Sequence, residues 1–223
     1  MPTLREFLHQ LDFITIDLSV LILFGTASLI LLVRDWRLSI FALLIQYLAT
    51  GLVLARIVRP EIALAKVLVG LLICPILYLS ARQAGWSEVR AGPFRWSRLL
   101  SWRRTVSWEV FPAGRFFRLL AMLLAMFTAV TLSRAYPLAG APAQATTIAY
   151  WLVAAGLLLL ILTEEPFKAG QGLLTAITGF EVIYTTLERS LLLIGLWGAI
   201  NLLLAVAIGY LTAVRGVPGE DNL

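Results

Sequence analysis

Four side chains able to carry or orient a proton stand inside long apolar runs: Glu181 in TGFEVIYTTL, Lys66 in EIALAKVLVGLL, Gln46 in FALLIQYLAT and Asn201 in GLWGAINLLLAVAIGY. A charge at the centre of a bilayer costs about 2.5 to 3.5 kcal/mol on insertion scales, so such residues face other helices, pair, or line water. The carboxyl of Glu181 is too short to reach the headgroups from mid-membrane. Buried, it is either protonated or paired with a cation, and both states suit a proton relay. The competing reading is a neutral acid that only bonds a neighbouring helix. Lys66 lies near the start of its run, so its amine either snorkels to the interface or is buried and titratable. Asn201 and Gln46 can hold water or join helices by hydrogen bonds. All these readings stay open at this point.

The elements that would position these groups follow from composition. Of the 223 residues 60% are hydrophobic, and the mean hydropathy is +0.89. One soluble core cannot hide that much apolar surface, so the expected class is an all-α polytopic membrane protein. Apolar windows long enough to span hydrocarbon occur at 14–33, 38–58, 62–80, 116–133, 146–163, 169–187 and 191–213, about seven spans. They are continuously apolar, whereas the strands of a membrane barrel alternate with period two. The first window is preceded by MPTLREFLHQLD and followed by no small-residue cleavage site, which reads as an anchor. One cysteine, Cys74, and one histidine, His9, cannot supply a ligand cluster, so no cofactor or metal is expected. Cys74, beside Pro75, reads as a small packing residue.

Arginines fix the expected orientation. Arg34, Arg37, Arg82, Arg90, Arg95, Arg98, Arg103, Arg104, Arg115, Arg118, Lys168 and Arg215 fall on one face; Arg5, Arg56, Arg59, Arg134 and Arg189 fall on the other. By the positive-inside rule the N-terminus lies outside and the C-terminus in the cytoplasm. Glu164, Glu165 and Lys168 read as a solvated turn around Pro166, and Glu188 with Arg189 as an interfacial pair. The chain divides into a three-helix unit at 1–81, a cytoplasmic insertion at 82–115, a crossing helix and outer loop at 116–145, a second three-helix unit at 146–215 and a tail at 216–223. The insertion, with GPFRWSRLLSWRRTVSWEVF, interleaves tryptophan with arginine and suits an anionic headgroup layer or a docking partner far better than nucleic acid. A slide of 135 residues sets Gln46 opposite Glu181 and Lys66 opposite Asn201. Three spans, one crossing span and three more would make this a parallel repeat.

The segment KAGQGLLTAITGFEVIY resembles the second helix of subunit K of bacterial respiratory complex I, where a basic turn precedes a helix with a Gly-hydrophobic-Glu triplet. Here the triplet is Gly179, Phe180, Glu181, and the resemblance implies that Glu181 is an intramembrane proton-pathway acid. The family's third helix usually carries a second acid; this chain has Asn201 in that region. In plan, with VRDWRLS at 33–39 and IALAKVLVGLLICP at 62–75, the chain is similar to the hydrogenase-4 component E family. The resemblance covers about two thirds of the chain and leaves out the insertion. It implies a non-catalytic subunit of a redox-driven, proton- or sodium-translocating complex in a prokaryotic inner membrane, with antiporter-like subunits and lipids as partners. Glu181, Lys66, Asn201 and Gln46 would form its proton pathway. A self-contained transporter and a non-conducting scaffold or assembly subunit are the alternatives.

Overall fold

A computed structural model describes residues 16–33, 35–57, 60–84, 115–138, 141–187 and 190–216. These residues form seven helices and no strand: α1 (Ile16–Leu32), α2 (Trp36–Ile57), α3 (Pro60–Gln83), α4 (Arg115–Ala135), α5 (Ala143–Ile161), α6 (Pro166–Leu187) and α7 (Leu191–Gly216). Each matches an apolar window of the sequence to within a few residues at either end. Five of them, α2, α3, α4, α5 and α7, are long and apolar enough to cross a membrane. The apolar part of α1 is shorter, and polar residues dilute α6. Several such helices in one chain fit a multi-pass membrane protein. His9 and the tryptophans and arginines of 85–114 lie outside the described residues.

So few residues separate α1 from α2, α2 from α3, α5 from α6 and α6 from α7 that consecutive helices run antiparallel. The result is two rows: α1 beside α2 beside α3, and α5 beside α6 beside α7. The rows face each other with α1 on α5, α2 on α6 and α3 on α7, while α4 lies outside against α5 and α1. Facing helices are parallel. Gly198 of α7 sits beside Val69 of α3, and Gly209, further along, sits beside Ser80.

The tightest contact is between α5 and α6, and glycine makes it. A Cβ on Gly179 would lie 2.7 Å from the Ala149 carbonyl oxygen and 2.8 Å from the Leu152 Cβ. Any larger residue would push α6 off α5, so Gly172 and Gly179 serve the close approach expected of small residues in membrane helices. Across α1 and α5 the Phe24 and Trp151 rings stack at 4.9 Å. Cys74 is buried in the core that Tyr47, Leu77 and Phe167 share. By contrast Phe116, Leu120 and Phe127 of α4, Leu21 of α1 and Leu192 and Tyr210 of α7 are exposed, an apolar surface suited to lipid or to neighbouring helices.

Candidate functional site

The rows bring three of the four intramembrane polar residues together. Lys66 projects from α3, Glu181 from α6 and Asn201 from α7, and all three are buried. The Lys66 ammonium donates to Glu181 Oε2 in a salt bridge. Asn201 Nδ2 donates to the other carboxylate oxygen, Oε1, at 2.5 Å. Both oxygens of the acid are therefore held, one by a charge and one by an amide. This decides between the two readings of Lys66: at 6% exposure its amine is buried and paired, and it does not snorkel.

The ammonium has two further neighbours. It lies 4.7 Å from the centroid of the Tyr47 ring on α2, a cation–π distance, and 3.4 Å from Thr178 Oγ1 on α6. Thr178 and Glu181 are three residues apart on α6 and so share a face. Gly70 lets α3 approach the tyrosine, because a Cβ there would come within 2.5 Å of the Tyr47 Cβ. Below the acid, Thr185 Oγ1 donates to the Glu181 carbonyl at 2.5 Å.

The pair is off-centre. Glu181 stands six residues before the end of α6 and Lys66 six after the start of α3, each about 9 Å of helix rise from the bundle end at which α2 and α6 finish and α3 and α7 begin. The sequence alone placed the acid at mid-span; α6 begins three residues earlier than its apolar window, which shifts Glu181 toward this end. Beside the pair is a cavity of about 250 Å³, walled mainly by apolar residues of α3 and α7, with Lys66, Glu181, Thr185 and Asn201 as its polar lining. Trp197 of the cavity wall packs against the rings of Phe180 and Tyr184, with centroids 5.5 and 6.2 Å away.

Gln46 is not part of this hydrogen-bonded group. It is fully buried on α2, yet neither of its amide atoms has a partner among the described residues. Lys168, read from sequence as solvated, is also buried, and its amine donates to the Val33 carbonyl in the α1–α2 turn. The cause is the row packing, which lays the start of α6 against the start of α2. Tyr47, Thr178 and Gln171 escaped the sequence reading; the signal that could have found the last two is their helical spacing with Glu181.

Chemically, a carboxylate held by an amine and an amide can take up a proton, lose its attraction for the amine, and so move charge between two helices. Comparison with family models, with curated proteins and with solved structures gives no match to this chain.

Proposed function

We propose that the chain is an integral membrane-arm subunit of a complex I-like or group 4 hydrogenase-like assembly, contributing to proton or sodium translocation driven by electron transfer in other subunits. The observation that carries this reading is the buried Lys66–Glu181–Asn201 group, because ionisable residues are costly inside a membrane bundle and characteristically mark ion pathways there. Glu181 is the exchangeable carboxyl. When it accepts a proton, the Lys66 charge loses its partner and is left to the Tyr47 ring and Thr178; when it releases the proton, the pair re-forms. Asn201 keeps the carboxyl in place in both states. Gln46 serves through water.

All seven helices cross the membrane in this reading, with the N-terminus outside, the C-terminus in the cytoplasm, and a prokaryotic inner membrane as the setting. The parallel repeat gains support from packing: facing residues such as Lys168 with Val33, or Gly209 with Ser80, are separated in sequence by 135 and 129 residues, near the spacing at which the polar residues coincide. Equivalent helices face each other in the same order, so the two triplets relate as a stack and not by a two-fold axis. The exposed apolar faces of α4 and α7 are where antiporter-like partner subunits or lipids would lie.

The test is Glu181→Gln, which keeps size and hydrogen bonding and removes titration. With the tagged chain in its complex, reconstituted in vesicles at matched complex content, proton uptake should fall at least tenfold, and Glu181→Asp should retain part of it. Normal uptake by Glu181→Gln would sink the relay. The cavity beside the pair favours a second reading, a self-contained transporter of a small solute. A transporter would purify alone in mild detergent, whereas a subunit brings antiporter-like partners with it.

A further inference from the structure

The cavity beside the ion pair opens sideways. Its walls belong mainly to α3 and α7, the last helices of the two rows, and the small residues Ala65, Gly195 and Ala199 in that wall are exposed. They lie four to eight residues past the helix starts, about 6 to 12 Å of rise, and both helices are long and apolar enough to cross a membrane. The mouth therefore faces hydrocarbon on the flank of the bundle. A Cβ on Gly195 would meet nothing within 4 Å, so glycine leaves this entrance wide.

At the deep end of the cavity the pair is not sealed: the Lys66 and Glu181 side chains keep 6% and 8% of their surface. What this end offers is acceptors. The protons of the Lys66 ammonium are directed at Glu181, at Thr178 and toward the Tyr47 ring. Thr185 spends its hydroxyl proton on the Glu181 carbonyl, and Asn201 is fully buried with its amide turned to the carboxylate. A carboxylate has about four lone-pair sites, and among the described residues Lys66 and Asn201 take one on each oxygen of Glu181. A ligand must therefore bring the proton. The charges of Lys66 and Glu181 cancel, so an ionic ligand would enter an apolar cavity without a counter-charge; a neutral donor carries no such cost.

The rest of the wall, with Leu54, Val69, Ile194, Trp197 and Leu202, is apolar. Trp197 presents an aromatic ring braced by Phe180 and Tyr184, and rings gain from offset or edge contact with other rings. A dry cavity of about 150 Å³ holds a benzene, so one of about 250 Å³ takes a substituted ring. We propose that this cavity binds a neutral, membrane-soluble phenol, which enters from the bilayer between α3 and α7, donates its hydroxyl to Glu181 and lays its ring against Trp197. An acyl chain would fill the same volume and leave the acceptors unused, and water would meet mainly apolar walls. The site depends on the geometry of the ion pair alone; under the proposed function its ligand, by occupying the carboxylate, would slow proton exchange.

The probe is a phenol whose short para-alkyl tail carries a diazirine, added to vesicles that hold the full chain with any subunits that purify with it. After irradiation the labelled peptides of this chain are identified by mass spectrometry. Labelling should fall on the segments of α3 and α7 around Ala65 and Ala199. Excess para-butylphenol should suppress it about tenfold more effectively than butylbenzene at equal bilayer concentration, the factor expected for one hydrogen bond to a charged group. Gly195→Leu, whose Cβ meets no neighbour, fills the entrance and should abolish the competed labelling. Thr185→Val, which removes one acceptor, should narrow the gap between the two competitors. Equal suppression by butylbenzene would show a gap open to any hydrophobe, and unchanged labelling of Gly195→Leu would place the probe elsewhere; either result overturns the proposal. If Gly195→Leu is not recovered folded, Ala199→Leu is read by the same criteria. Labelling is measured here and proton uptake is not, so loss of the relay in the Glu181→Gln test leaves this site standing, and absence of a phenol site leaves the relay standing.

Discussion

The helices α2 and α6 are neighbours of the same length, parallel, and each carries a long polar side chain well inside its apolar stretch: Gln46 on the first, Glu181 on the second. Their circumstances differ completely. Glu181 is held at both oxygens by Lys66 and Asn201, from two other helices. Gln46 is just as buried and has no partner among the described residues. What separates them is reach. Lys66 of α3 is adjacent to α2 in the row, yet its amine passes over the Tyr47 ring and crosses to α6, so the charge goes to the acid and leaves the amide alone. Within a membrane bundle, residue type marks a position as costly, and only the neighbouring helices decide whether the cost is met by protein.

The largest effect is expected at the cation. Removing one member of a buried ion pair typically costs about 3 to 5 kcal/mol, because the other charge is left without compensation. Lys66→Met should therefore lower the apparent melting temperature of the purified protein in mild detergent and reduce its yield. The double variant Lys66→Met with Glu181→Met, which leaves no charge at this site, should recover most of that stability and, under the proposed function, remain inactive in proton uptake. If the double variant is no more stable than the single one, the pair is not the cause, and Glu181 has no more claim on its neighbours than Gln46.

Asn201 ranks next. A hydrogen bond to a charged group contributes about 1.5 to 3 kcal/mol, so Asn201→Leu should destabilise by less than Lys66→Met and slow proton uptake by roughly tenfold, within the range such an energy allows. Asn201→Asp sharpens the comparison. It places a second acid beside the first, and two carboxyls in contact resist ionising together; its uptake should depend on pH in a way that Asn201→Leu does not. Identical pH profiles for the two variants would show that Asn201 does not touch the exchanging group.

How far the site was legible follows from these same residues. Lys66, Glu181, Gln46 and Asn201 stood out because their types are rare in apolar runs, and the windows around them became helices with nearly the expected bounds. Their partnership was not legible, since a sequence fixes spacing along a helix and says nothing of which rows face each other. Thr175 and Thr178 drew no notice because threonine in a helix can bond the carbonyl four residues back, as Thr178 does, and then looks apolar from outside. Lys168 misled for a different reason: with Glu164, Glu165 and Pro166 it has the composition of a solvated turn. Its burial goes with a bond from its amine to the Val33 carbonyl just after α1, a contact between segments far apart in the chain.

The smallest effect belongs to Gln46 and gives the finest test of the comparison. Because neither amide atom is bonded among the described residues, Gln46→Leu removes a desolvation cost and breaks no hydrogen bond there, so the melting temperature should stay level or rise, by an amount corresponding to no more than about 1 to 3 kcal/mol. Under the proposed function, in which Gln46 serves through water, proton uptake should still slow, by a few-fold, since leucine offers water nothing to bond. Stability and transport would then move in opposite directions, which no packing residue would produce. A Gln46→Leu variant that loses both together would mean that Gln46 is held by protein as Glu181 is, and the contrast between the two helices would disappear.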